Sequence, residues 1–228
     1  MEHFSLDSHY LTLFLTTIPL VFAAIFPVLN PIGSAIIVLP LTGGIDQPTR
    51  HMLAKKVAGN TLFLLSVVLL AGSPLMAFFG ISIPVVQVAG GLVLASMGWK
   101  SLSADDPIDN EGPGDRAASK SLVDQTFYPF TFPITVGPGS VAITLTLSAH
   151  TTQTQVLGTL VAQSGAVIAF IGLAITVYLS FAYTSALVRR TGPSGTKVIM
   201  RLMSFIILCI GAQICWSGID ALLAQRGA

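Results

Sequence analysis

The stretch FPVLNPIGSAIIVLPL (Phe26–Leu41) continues an apolar run long enough to cross a bilayer, yet Asn30, Pro31 and Gly33 in its middle are residues that stop a helix. A second stretch, FPITVGPGSVAITLTL (Phe132–Leu147), lies 106 residues downstream and has the same form. Without gaps the two match at Phe26/Phe132, Pro27/Pro133, Gly33/Gly139, Ser34/Ser140, Ile37/Ile143, Leu39/Leu145 and Leu41/Leu147. Asn before Pro is a helix-start signal: Asn30 can cap, Pro31 has a fixed φ and no N–H to leave unpaired, and Gly33 lets a ligand approach the backbone. Gly137–Pro138 repeats the arrangement one position out of register.

A helix restarting at each motif presents unpaired N–H groups and the positive end of its dipole, a setting for a carboxylate. The half-helix before each restart ends in carbonyls, those of Val28, Leu29, Ile134 and Thr135, which can accept from an ammonium or coordinate Na⁺. A zwitterionic amino acid needs both. The candidate substrate contacts are therefore Asn30, Pro31, Gly33, Ser34, Thr135, Gly137, Pro138, Gly139 and Ser140, with backbone groups of Val28, Leu29 and Ile134 as candidates for Na⁺. One such break alone reads better as a packing kink; its recurrence in both halves of the chain favours a site.

Of the 228 residues 53% are hydrophobic and 9% charged, against roughly a quarter charged in a soluble domain. The composition is that of an integral membrane protein. A net charge of +1 gives no bulk basicity and excludes nucleic acid as the expected partner. Cys209 and Cys215 have neither a CxxC spacing nor histidine companions, so no metal site is expected and buried, inert thiols are. The N-terminus, MEHFSLDSHY, lacks a basic n-region and reads as retained rather than as a secretory signal.

Six apolar segments are expected, near Leu11–Leu41, Val57–Phe79, Val85–Leu102, Phe127–Ala149, Val156–Val188 and Val198–Leu223. Ten of the eleven basic residues fall in three connections: Arg50, Lys55 and Lys56; Lys100, Arg116 and Lys120; and Arg189, Arg190, Lys197 and Arg201. The positive-inside rule then puts these connections in the cytoplasm and both termini in the periplasm. Residues 104–124 have soluble-protein composition and read as a cytoplasmic linker between two three-helix repeats, 1–103 and 125–228. A weaker echo, GLVLASMGWKSL against GAQICWSGIDAL, repeats Gly91/Gly211, Gly98/Gly218 and Leu102/Leu222. Three is odd, so the second repeat is inverted. The expected fold is an all-α membrane protein of two inverted-topology repeats with helices 1 and 4 discontinuous, the plan of secondary transporters whose broken helices meet at the midplane.

Asn60, Gln87, Gln163 and Gln213 suit interhelical hydrogen bonds as well as substrate contact. No Asp, Glu, Lys, Arg or His falls mid-span, which disfavours a carboxylate proton relay. His3, His9, His51 and His150 lie outside the spans and are expected to be solvated. With no Ser/His/Asp or metal-ligand constellation, an enzyme is disfavoured.

NPIG (Asn30–Gly33), FGISIP (Phe79–Pro84) followed by AGGL (Ala89–Leu92), GPG (Gly137–Gly139) and RLMSFIILCIGAQ (Arg201–Gln213) together closely resemble the MarC family, also called UPF0056, over nearly the whole chain. Ser204 departs from the glycine expected in the RLMGF run. The resemblance implies a bacterial inner-membrane protein and, by the SnatA branch, transport of small neutral amino acids such as glycine and alanine, with coupling to Na⁺ or H⁺ and no other cofactor. Its motifs carry over to Asn30, Pro31, Gly33, Pro133, Gly137, Pro138 and Gly139. The expected partners are a small amino acid and the lipid bilayer, with assembly into a homo-oligomer left open. The alternatives are an exporter of other small metabolites or drugs, and a channel-like or sensory membrane protein without coupled transport.

Overall fold

The computed structural model describes residues 2–42, 45–103, 126–152 and 155–226, and all regular structure among them is helical. In chain order these are α1 (Glu2–Leu29), α2 (Pro31–Val38), a 3₁₀ turn (Pro40–Thr42), α3 (Gln47–Phe78), α4 (Ile83–Ser103), α5 (Thr126–Thr135, wound as a π-helix) and α6 (Pro138–Thr151). The final helical run, Val156–Arg226, breaks at Gly192 into α7 (Val156–Gly192) and α8 (Ser194–Gln225). Gly192 has φ 67 and ψ 175, a conformation only glycine adopts readily. Among the described residues five helices are long and apolar enough to span a membrane, the first being His9–Val38, which joins α1 and α2. The count is six if α5 and α6, which meet at 73°, form one span.

The fourth segment is thus bent rather than straight. Pro129 and Pro133 lack the N–H that an α-helix needs, and Tyr128 and Phe132 are extended (φ −123 and −113). Threonines take up the carbonyls: Thr131 Oγ1 donates to Thr126 O and Thr135 Oγ1 to Phe130 O, each at 2.7 Å, while Val136 N donates to Thr131 O at 2.7 Å. The basic residues also sit differently from expectation. Arg50, Lys55 and Lys56 ride on the first turns of α3, and Arg189, Arg190, Lys197 and Arg201 on the adjoining ends of α7 and α8. Long basic side chains can lie along a helix end and keep their charge in water, so the helix need not stop before them. The 104–124 linker lies outside the described residues.

The core follows helical spacing: Val21, Ile25 and Leu29 on α1, Leu65 and Leu69 on α3, and Phe170, Leu173 and Val177 on α7 are all buried. Phe130 and Val136, at the α5–α6 bend, join them. Because lipid is as apolar as leucine, close backbone approach matters more here than removal from water. Glycines provide it between α4 and α8. A Cβ on Gly91 would stand 2.7 Å from Gly211 O, one on Gly211 2.8 Å from Gly91 O, one on Gly98 2.9 Å from Ser204 O, and one on Gly218 2.7 Å from Pro84 O. Elsewhere α1 lies on α7, with the Gly165 Cβ position 3.1 Å from Phe14 O, and α6 lies on α3, with the Gly72 position 2.7 Å from Leu145 Cδ2. Beside Gly72 the Ser148 hydroxyl enters the α3 ladder, donating to Leu69 O and accepting from Ser73 N.

Two expectations are corrected. His51 is half-buried, its Nδ1 3.1 Å from Tyr178 Oη and its ring edge-on to Tyr183, because α3 begins well before the apolar segment and carries it against α7. Cys209 is exposed and Cys215 half-buried: α8 packs through its glycine face, which turns Cys209 outward.

Candidate functional site

At the first motif Asn30 alone interrupts the helix. It adopts the left-handed conformation (φ 43, ψ 63), which asparagine tolerates better than most residues. Asn30 nevertheless keeps the hydrogen bonds of both sides: its N–H donates to Phe26 O at 3.1 Å, and its carbonyl accepts from Ser34 N at 2.9 Å. Its Oδ1 accepts from Gly33 N at 3.1 Å, so the side chain lies over Gly33, where a Cβ would stand 2.7 Å from Asn30 Cγ. That is the physical reason for glycine there. The Gly33 and Ser34 N–H groups, expected to be open to a ligand, are both taken by Asn30.

The second motif begins α6 without such a cap. Gly137 stands at the capping position with extended backbone (φ −84, ψ 175) and offers no side-chain acceptor. Val141 N makes the first helical bond, to Gly137 O at 3.1 Å. Counted from their caps, Ser34 is the fourth residue of its helix and Ser140 the third of its own, which is the one-position slip visible in the sequence. The slip matters because a helix's fourth residue finds the capping carbonyl, whereas the second and third, here Gly139 and Ser140, do not. Both residues are buried, Ser140 to 1% exposure, and the Ser140 hydroxyl has no hydrogen-bond partner.

The motifs meet through Ser34. Its hydroxyl is 3.2 Å from Leu29 O, across the break in its own chain, and 3.2 Å from Ile134 O at the end of α5. Two of the carbonyls proposed from sequence are therefore brought together on one hydroxyl, and each retains a second lone pair. The Thr135 hydroxyl, buried to 1%, is engaged with Phe130 O and has no proton left to donate. Pro31 is buried, while Pro138 is exposed and Gly137 half-buried. Leu94 of α4 escaped sequence reasoning, being one leucine in an apolar segment. Its Cδ1 lies 2.9 Å from where a Gly139 Cβ would be, and Leu94 is buried to 3%.

A cavity of about 260 Å³ lies between α1, α4, α6 and α8, lined by Ala24, Gln87, Ile143, Thr146, Ile214 and Ser217 among others. Another, of about 320 Å³, lies by the α3–α4 turn and includes Ser73, Ser82, Pro84 and Gln225. Neither is lined by any of the candidate substrate contacts, Asn30, Pro31, Gly33, Ser34, Thr135 or Gly137 to Ser140. Among the described residues no group of three or more His, Cys, Asp or Glu could hold a metal ion.

Among known families, the model of the MarC family integral membrane proteins matches residues 15–223. The chain belongs to the MarC family. Curated MarC relatives include the UPF0056 inner membrane protein MarC of Escherichia coli (strain SMS-3-5 / SECEC), 29% identical over 201 residues that cover 86% of this chain and 90% of the relative. The proteins of that name from Escherichia coli (strain K12) and Shigella flexneri are each 28% identical over the same shares. No solved structure matches this MarC chain.

Proposed function

We propose that this MarC-family protein is a secondary transporter of small neutral amino acids, of the glycine and alanine type, working by alternating access in the inner membrane. In this reading residues 1–103 and 125–228 are inverted repeats, both termini are periplasmic, and the α1–α2 and α5–α6 breaks meet at the midplane as the substrate site. The observation that carries the reading is the Ser34 hydroxyl joining Leu29 O and Ile134 O, which puts the end of α5 against the start of α2.

Packing gives further support. α1 lies on α7 while α6 lies on α3, the exchange expected if helices 1 and 4, and 2 and 5, are equivalent. The α4–α8 contacts are reciprocal: Gly91 meets Gly211 O as Gly211 meets Gly91 O, and Gly98 meets Ser204 O as Gly218 meets Pro84 O. An offset of 120 residues carries each contact onto its counterpart, taking Gly91 to Gly211, Gly98 to Gly218 and Pro84 to Ser204, the same offset as in the Gly91/Gly211 and Gly98/Gly218 repeat. The relatives' designation as inner membrane proteins supports the location. Coupling to Na⁺ or H⁺ belongs to the proposal, the free lone pairs of Leu29 and Ile134 being the place for Na⁺.

A thermal-shift screen of the purified protein against the amino acids, with and without Na⁺, tests it. Glycine and alanine should raise Tm in a concentration-dependent way. Stabilisation by bulky hydrophobic cations alone would return the drug-efflux alternative.

A further inference from the structure

We infer that the two motifs have different tasks: the first turn of α6 alone holds the substrate carboxylate, through Gly139 N–H, Ser140 N–H and the Ser140 hydroxyl, whereas Ser34 is a structural staple. Leu94 sets how large the substrate's side chain can be. This rests on the transporter reading above and names the ligand group and the limiting residue.

Three observations lead to it. First, α6 is a 14-residue helix starting without a side-chain cap, so its end carries orphan donors and a positive dipole. Second, the Ser140 hydroxyl on that turn is buried and has no partner, a condition that a bound acceptor relieves. Third, the equivalent groups of the first motif are all engaged: Gly33 N with Asn30 Oδ1, Ser34 N with Asn30 O, and the Ser34 hydroxyl with two carbonyls. A carboxylate fits the α6 donors, since it is acceptor-only and its oxygens can together take three hydrogen bonds. No Asp, Glu, Lys, Arg or His falls mid-span, so the ligand must bring its own counter-charge, as an amino acid does.

Leu94 occupies the space that a side chain on Gly139 would need. A ligand on this turn lies beside it, and a large side chain must displace the buried isobutyl group. Glycine and alanine need the least displacement.

Calorimetric titration of the purified full chain with glycine, alanine, valine, leucine and glycinamide tests the inference. The wild type should bind glycine at least about tenfold tighter than glycinamide, which lacks the carboxylate, and Ser140→Ala should weaken glycine binding by about ten- to hundredfold. Ser34→Ala should lower Tm and weaken glycine binding less than Ser140→Ala does. Leu94→Ala should extend binding to valine and leucine. A Ser34→Ala loss of affinity matching that of Ser140→Ala would overturn the division of tasks, as would equal binding of glycine and glycinamide. If the wild type bound glycine and Ser140→Ala bound it equally well, this inference alone would fall. Absence of binding to every amino acid would remove the transporter reading with it. Should Ser140→Ala not fold, the wild-type comparison of glycine with glycinamide decides.

Discussion

Asn30→Ala should destabilise the protein more than Asn30→Gly, although alanine is the better helix former and keeps the β-carbon. Asn30 both caps α2, through Gly33 N, and holds the left-handed conformation. Losing a cap costs about 1 kcal/mol when alanine replaces asparagine, but only a few tenths when glycine does. A β-carbon without a compensating polar group in the left-handed region adds about 1–2 kcal/mol, which glycine avoids. Alanine should therefore cost about 2–3 kcal/mol in all, and glycine under about 1 kcal/mol once its greater unfolded-state freedom is included. Equilibrium unfolding in mixed micelles, followed by the fluorescence of Trp99 and Trp216 on α4 and α8, measures both. Equal stabilities for the two variants, or an alanine variant more stable than the glycine one, would refute the left-handed cap as the reason for asparagine here.

Other consequences can be measured in the same preparation. Gly91→Ala and Gly211→Ala each place a methyl against backbone of the facing helix, so each should cost about 1–3 kcal/mol. The double variant should cost less than their sum, because one separation of α4 from α8 relieves both. Ser148→Ala leaves Leu69 O and Ser73 N without the hydroxyl between them and should cost about 1–3 kcal/mol in the unfolding titration. His51→Phe and Tyr178→Phe should show coupling of about 0.5–1.5 kcal/mol in a double-mutant cycle, reflecting the hydrogen bond between α3 and α7.

Much of this was legible in the sequence for identifiable reasons. Proline is favoured at the first position of a helix and asparagine or glycine just before it, so both restarts could be placed from NPIG and GPG. The asymmetry between them was present as well, in an asparagine at one cap and a glycine at the other. Counted from those caps, Ser34 and Ser140 occupy different helical positions, the same slip of one residue that separates Asn30–Pro31 from Gly137–Pro138. The π-helical winding of α5 was not legible, because its carbonyls are taken by threonine hydroxyls five residues on. Leu94 was hidden for another reason: its importance comes from α4 lying against α6, a contact set by small residues such as Gly90 and Ala142. The true starts of α3 and α8 were missed because charge marks where water begins and says little about where a helix begins.

The central claim is coupled, alternating-access movement of a small neutral amino acid, and counterflow tests it most directly. Proteoliposomes loaded with unlabelled alanine and given a trace of labelled alanine outside should accumulate label transiently above equilibrium, with saturable rates and inhibition by glycine. Label that only equilibrates, at a rate indifferent to alanine inside, would contradict a carrier and leave a channel-like or sensory role for this fold.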